Sequence, residues 1–107
     1  MTARVIITAP TKAKKGEIVT VTTLLAHVME NGFRHSSTGV PIPRDIVTEF
    51  VARYNGAEIL RASLYPAIAA NPYFAFEFVA EESGILDFSW MGDNGFAASR
   101  QIAINVE

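Results

Sequence analysis

Hydrophobic residues in this chain recur at every second position and almost nowhere with a helical period. A two-residue period puts alternate side chains on opposite faces of an extended strand, so it commits the chain to β structure. Seven segments carry the pattern. Ala3–Ala9 sets Val5 and Ile7 on one face, and Pro10 stops it. After a Lys14-Lys15-Gly16 turn, Glu17–Leu25 aligns Val19, Val21, Thr23 and Leu25. Its threonines and β-branched aliphatics favour a strand over a helix. Asp45–Arg53 lines up Phe50 and Ala52 with Tyr54. Asn55-Gly56 is a strong hairpin signal, because both residue types tolerate positive φ. Its return strand, Ala57–Ser63, places Leu60 and Ala62 on one face and Ile59 and Arg61 on the other. Tyr73–Ala80 groups Phe74, Phe76 and Phe78. Glu82-Ser83-Gly84 turns into Ile85–Met91, with Leu86, Phe88 and Trp90 inward. Gly92-Asp93-Asn94-Gly95 turns into Ala98–Val106, with Ile102, Ile104 and Val106 on one face.

About seven strands with turn signals between them indicate an all-β fold, an antiparallel β-sandwich of immunoglobulin type. The phenylalanine triplet and Leu86, Phe88 and Trp90 should face each other across its core. At 107 residues the chain suits one domain, spanning 1–107. Half of the residues are hydrophobic, enough for a real core without metal or disulfide staples. The formal net charge is -2, and only Lys12, Lys14 and Lys15 cluster, which speaks against nucleic acid as a partner. The chain has no cysteine, so thiol catalysis, cysteine metal sites and disulfides are excluded together. Met1 to Pro10 shows no basic region followed by an apolar stretch, so it does not read as a secretory signal, and that taken alone points to the cytoplasm. No segment reads as a membrane span.

Candidate chemistry is sparse. His27 and His35 are the two histidines, and they could join Glu30 or Asp45 at a metal. A metal site wants three or four converging ligands, and no tight His-x-x-x-His spacing is present. Asp93-Asn94-Gly95 lacks the further carboxylates of a calcium loop and reads as a hairpin turn. His35-Ser36-Ser37 with Asp45 offers no sign of a base-oriented hydroxyl or an oxyanion hole. Glu81 and Glu82 are adjacent on a strand end and point to opposite faces. Trp90 reads as the core aromatic of a sandwich. No catalytic residue, cofactor or metal is assigned.

What remains is partner binding. Residues 64–78 hold one charge, Glu77, and are punctuated by Pro66 and Pro72. The strand that follows is apolar on both faces, with the phenylalanines on one and Tyr73, Ala75 and Val79 on the other. A sandwich core uses one face of a strand, so something must cover the other. The residues leave two candidates open: a second protein, or the long irregular segment 27–44 folded back. The partner interface is assigned to Pro66, Ala67, Ile68, Ala69, Ala70, Asn71, Pro72 and Tyr73.

Several blocks, in order along nearly the whole chain, carry a family resemblance. They are Lys14-Lys15-Gly16-Glu17, His27-Val28-Met29-Glu30-Asn31-Gly32-Phe33-Arg34 and Ile42-Pro43-Arg44-Asp45-Ile46. Tyr54-Asn55-Gly56, the run from Pro66 to Pro72, Glu82-Ser83-Gly84, and Phe88-Ser89-Trp90 leading to Asp93-Asn94-Gly95 complete the set. In this series the chain resembles SoxZ, the Z subunit of the SoxYZ thiosulfate-oxidation sulfur-carrier complex. Val28 departs from the pattern, where a proline is expected in many members.

The resemblance implies an immunoglobulin-like, non-catalytic subunit that pairs with SoxY. A cysteine on the partner's glycine-rich C-terminal arm would hold the sulfur intermediates. The Z subunit would stabilise SoxY and offer docking surface to cytochrome SoxAX, the hydrolase SoxB and the sulfane dehydrogenase SoxCD. It implies a periplasmic location, reached by export of the folded heterodimer on the partner's signal. The absence of cysteine fits, because a stray thiol beside a persulfide carrier would invite exchange. The residues without the resemblance fit a generic sandwich module for self-association or ligand binding.

Overall fold

Alternation, turn chemistry and aromatic content combine into two packed sheets. The structure is a computed structural model that describes residues 4–65 and 70–107. Eight strands run in chain order: β1 (Val5–Thr8), β2 (Lys12–Ala13), β3 (Ile18–Leu25), β4 (Val47–Tyr54), β5 (Ala57–Ser63), β6 (Tyr73–Val79), β7 (Gly84–Gly92) and β8 (Ala97–Val106). One sheet has the order β1-β3-β6, the other β2-β8-β7-β4-β5. All neighbours are antiparallel except β2 and β8, which pair in parallel. This is the expected immunoglobulin-like sandwich.

Each expected strand is present, with one addition. The chain leaves the first sheet around Pro10 and re-forms as β2 on the second, where the sequence indicates only a turn region. The signal is too short to see: two residues, Lys12 and Ala13, opposite Asn105 and Val106. Asn55 and Gly56 both take positive φ, 50° and 84°, as the β4–β5 hairpin requires.

The core lies between the sheets. Phe50 stacks on Phe74 at 4.6 Å between ring centroids and lies 6.4 Å from Phe88 and 5.1 Å from Trp90. Phe76 meets Phe88 across the sandwich at 6.4 Å. Leu86, Phe88 and Trp90 are buried, as their alternation requires, together with Val19, Val21, Thr23 and Leu25. Burial of each large side chain contributes about 1.5–3 kcal/mol. Ile59, which alternation sets on the face opposite Leu60, is half-buried against the core just as Leu60 is. A β-bulge between Ala52 and Arg53 leaves it as an extra residue on β5, and the kink turns it toward the edge of the core.

Candidate functional site

Three pairs of loops hold the ends of the sandwich, and each joins distant blocks of sequence. Tyr54-Asn55-Gly56 interlocks with Glu82-Ser83-Gly84. The Tyr54 hydroxyl donates to the Glu82 carbonyl and accepts the N–H groups of Glu81 and Glu82 at 3.2 and 2.9 Å. Asn55 Oδ1 accepts the Ile85 N–H at 2.9 Å. A Cβ on Gly84 would lie 1.7 Å from that Oδ1, so only glycine leaves room for the Asn55 amide.

The second junction joins the segment before β4 to the β7–β8 hairpin. Arg44 donates from Nε and Nη2 to the two Asp93 carboxylate oxygens, each at 2.8 Å. Asp93 also accepts the Ile46 N–H at 3.2 Å. The hydrogen bonds from Arg44 hold the Asp93 carboxyl below the ordinary aspartate range, with the Ile46 N–H and the guanidinium charge acting in the same direction. This carboxylate is committed to a loop junction, and Asp93-Asn94-Gly95 forms the turn between β7 and β8.

The third junction concerns the proline-bounded run. Asn71, at φ 56°, donates its N–H to the His27 carbonyl at 2.6 Å and accepts the His27 N–H on Oδ1 at 2.9 Å. His27 Nδ1 accepts the Met29 N–H at 3.0 Å, its Nε2 lies 4.0 Å from Asp45, and its ring meets Phe96 edge-on at 4.8 Å. Asp45 therefore sits beside His27, while the other histidine, His35, bridges Pro41 in a separate turn. Ser36 Oγ shares a hydrogen bond with Thr38 and accepts the Val40 N–H, so it organises that turn. Among the described residues no group of three or more His, Cys, Asp or Glu is placed to hold a metal ion.

Of the residues assigned to a partner interface, Pro66, Ala67, Ile68 and Ala69 lie outside the described residues. Ala70 is exposed. Asn71 serves the junction with His27. Pro72 is buried, and its carbonyl accepts the Leu25 N–H at 3.1 Å. Tyr73 is 60% exposed and leads into β6.

β6 is the principal unpartnered surface. It ends its sheet, with β3 on one side and, among the described residues, no strand on the other. The Leu25–Pro72 bond and the Ala80 N–H to the Glu17 carbonyl at 2.9 Å fix the phase of its ladder. Phe74, Phe76 and Phe78 turn their backbone groups to β3, and Tyr73, Ala75, Glu77 and Val79 turn theirs to the open side. The side chains of the same four residues lie on the outer face. There Tyr73 continues the cross-strand row Ile6–Leu24, and Val79 pairs with Ile18. Ile6 is 62% exposed, Ile18 63% and Val79 49%.

Segment 27–44 does not cover this surface. It pairs with itself through Glu30–Asp45 and His35–Pro41 bridges and rests on the β7–β8 hairpin through Arg44. Its own Val28, Phe33 and Val40 are exposed. Sequence reasoning found the outer face of β6 but not Ile6 and Ile18 beside it. The signal was available: both are aliphatics at the outward phase of strands whose inward face is already apolar.

The fold has well-matched counterparts. A superoxide reductase (neelaredoxin) from Ignicoccus hospitalis superposes with a TM-score of 0.73 at 18% identity, covering 100% of this chain and 81% of that one. A putative superoxide reductase from Thermotoga maritima gives 0.73 at 15% identity, over 96% and 85% of the two chains. The sulfur carrier protein SoxY from Chlorobium limicola f thiosulfatophilum gives 0.67 at 13% identity, over 96% and 78%. At these identities the likeness is one of fold. No curated protein matches the chain in sequence. The family model for the sulphur oxidation protein SoxZ matches residues 7–103, nearly the whole chain. The interlocked loops are built from the same blocks that carry the sequence resemblance, and the chain belongs to the SoxZ family.

Proposed function

We propose that this chain is the non-catalytic scaffold of a sulfur-carrier heterodimer in the Sox system, bound to a SoxY-type subunit whose cysteine arm holds the sulfur intermediates. The SoxZ-family match over residues 7–103 carries the reading. Support comes from the absence of cysteine, from polar side chains spent on loop junctions, and from an apolar surface larger than a lone sandwich needs. Residues 66–73 form part of the proposed contact, and exposed Tyr73 is its described end. The enzymes that process the carried sulfur dock on the heterodimer. Its location is the periplasm, reached together with the partner.

Co-expression with the cognate SoxY-type chain tests the reading. It predicts a 1:1 complex that survives gel filtration at micromolar concentration, and periplasmic recovery that depends on the partner's signal. Chains that elute separately would refute it. Ile68→Asp is expected to weaken the complex and leave the melting temperature of the isolated chain unchanged. An equal loss of monomer stability would place Ile68 in the core, where a buried charge is costly.

A further inference from the structure

The geometry points to β6 as a docking strand: a strand of the SoxY-type subunit adds to its open edge and extends the β1-β3-β6 sheet across the heterodimer. This inference rests on the SoxY pairing proposed above and names the surface and geometry that perform it.

Four observations carry it. The open edge presents the N–H and C=O groups of Tyr73, Ala75, Glu77 and Val79, a continuous row with no proline or bulge within β6. Unprotected edges of this kind pair with other chains unless charge, proline, bulges or a covering element prevents it. β6 has one charge, Glu77, in seven residues.

The core is also unfinished on this side. Phe74 and Phe76 are only half-buried, as are Ile59 and Leu60 on the facing strand β5. A groove of about 370 Å³ opens between the two strands near one end, lined by Tyr54, Ala57, Ile59, Phe78 and Val79 among others. The inward side chains of an added strand would enter this gap and complete the aromatic layer.

The outer face beside the open edge is apolar at both ends of β6. Tyr73 continues the row of Ile6 and Leu24 at one end and Val79 pairs with Ile18 at the other. Tyr73 is 60% and Val79 49% exposed, and a strand on the open edge would cover the flanks of both.

The partner's fold is suitable. SoxY from Chlorobium limicola f thiosulfatophilum shares this sandwich over 96% of the present chain. A like-folded partner can therefore offer strands of matching length and twist, and strand addition gives affinity through main-chain bonds with little demand on sequence identity.

Proline substitution separates edge from fold. Ala75→Pro removes an outward N–H, which edge strands tolerate, while a partner strand loses both the bond and the close approach. The wild-type chain and Ala75→Pro are compared with the co-expressed cognate SoxY-type subunit by sedimentation and by thermal melting. The expected result is an unchanged melting transition for isolated Ala75→Pro and at least a hundred-fold weaker heterodimer. Val79→Lys, which adds charge to the same edge without touching the backbone, is expected to weaken it at least ten-fold. A complex as tight for both variants as for wild type overturns the docking strand and leaves the SoxY pairing standing. Failure of the wild type to bind overturns the pairing and this inference with it. A wild-type homodimer that Ala75→Pro dissociates, with SoxY binding unaffected, assigns the edge to a second copy of this chain and likewise overturns the inference.

Discussion

β5 and β6 each end a sheet and border the same groove, but their edges are built differently. On β5, Arg61 reaches both Glu49 and Glu58, and this charged clasp lies over the outer face opposite Val51. Val51 is fully buried although it sits outside the main core cluster. The arginine stem covers an apolar residue while its head stays in water. The bulge at Ile59 further twists that edge away from flat pairing. β6 has none of these devices. It is regular, nearly uncharged and apolar on both faces. A chain that guards one edge can guard the other, and the bare edge is the one we propose for binding.

The contrast can be broken most severely at Phe76. Its backbone groups face β3, so Phe76→Pro removes a ladder bond inside the sheet and an aromatic from the core. Losses of about 3 kcal/mol or more from the proline and a similar amount from the ring should abolish cooperative thermal unfolding. A native-like transition in this variant would show that the ladder phase is wrong, and that the outward row is not where we place it.

A milder change removes the guard on β5. The double replacement Glu58→Ala, Arg61→Ala uncovers Val51 and strips the charge from that edge. The expected result is concentration-dependent self-association in sedimentation velocity, absent from the wild type at the same concentration. Unchanged monomeric behaviour would mean that the clasp does not protect the β5 edge.

The smallest effect concerns a region away from both edges. Asp93 titrates below its ordinary value because Arg44 and the Ile46 N–H bond its charged form. A carboxyl with a lowered folded-state pKa adds stability above its unfolded pKa, about 3.9, and that stability is lost as pH falls through the lower folded value. Between pH 7 and 5 the β7–β8 hairpin should keep its amide protection, and below about pH 4 it should loosen before the β6 ladder does. Loss of hairpin protection already at pH 6 would contradict the Arg44–Asp93 junction.

Much of this fold was legible in the sequence because alternation reports burial directly. Phe74, Phe76, Leu86, Phe88 and Trp90 declare their faces by spacing alone, and Asn55-Gly56 declares its turn. Strand neighbours in space are another matter. That β6 ends a sheet, and that Arg61 guards β5 while β6 stands bare, depends on contacts between residues far apart in the chain. Ile59 illustrates the limit, since one inserted residue in a ladder reverses the face that periodicity assigns. The proposed interface block is described only from Ala70 onward. Tyr73 lies on the exposed surface, whereas Asn71 and Pro72 hold a junction and the end of a ladder. An Asn-Pro pair has the same sequence signature whether it meets a partner or pins a loop.

Residue-resolved amide hydrogen exchange on β6, with and without the cognate SoxY-type subunit, tests the central claim most directly. In the isolated chain the account predicts an alternating pattern: slow exchange at Phe74, Phe76 and Phe78, fast exchange at Tyr73, Ala75, Glu77 and Val79. In the complex those four amides should become protected, while the outward amides of Arg61 and Ser63 on β5 keep their exchange rates. Fast exchange at Ala75 and Glu77 in a fully formed heterodimer would contradict it.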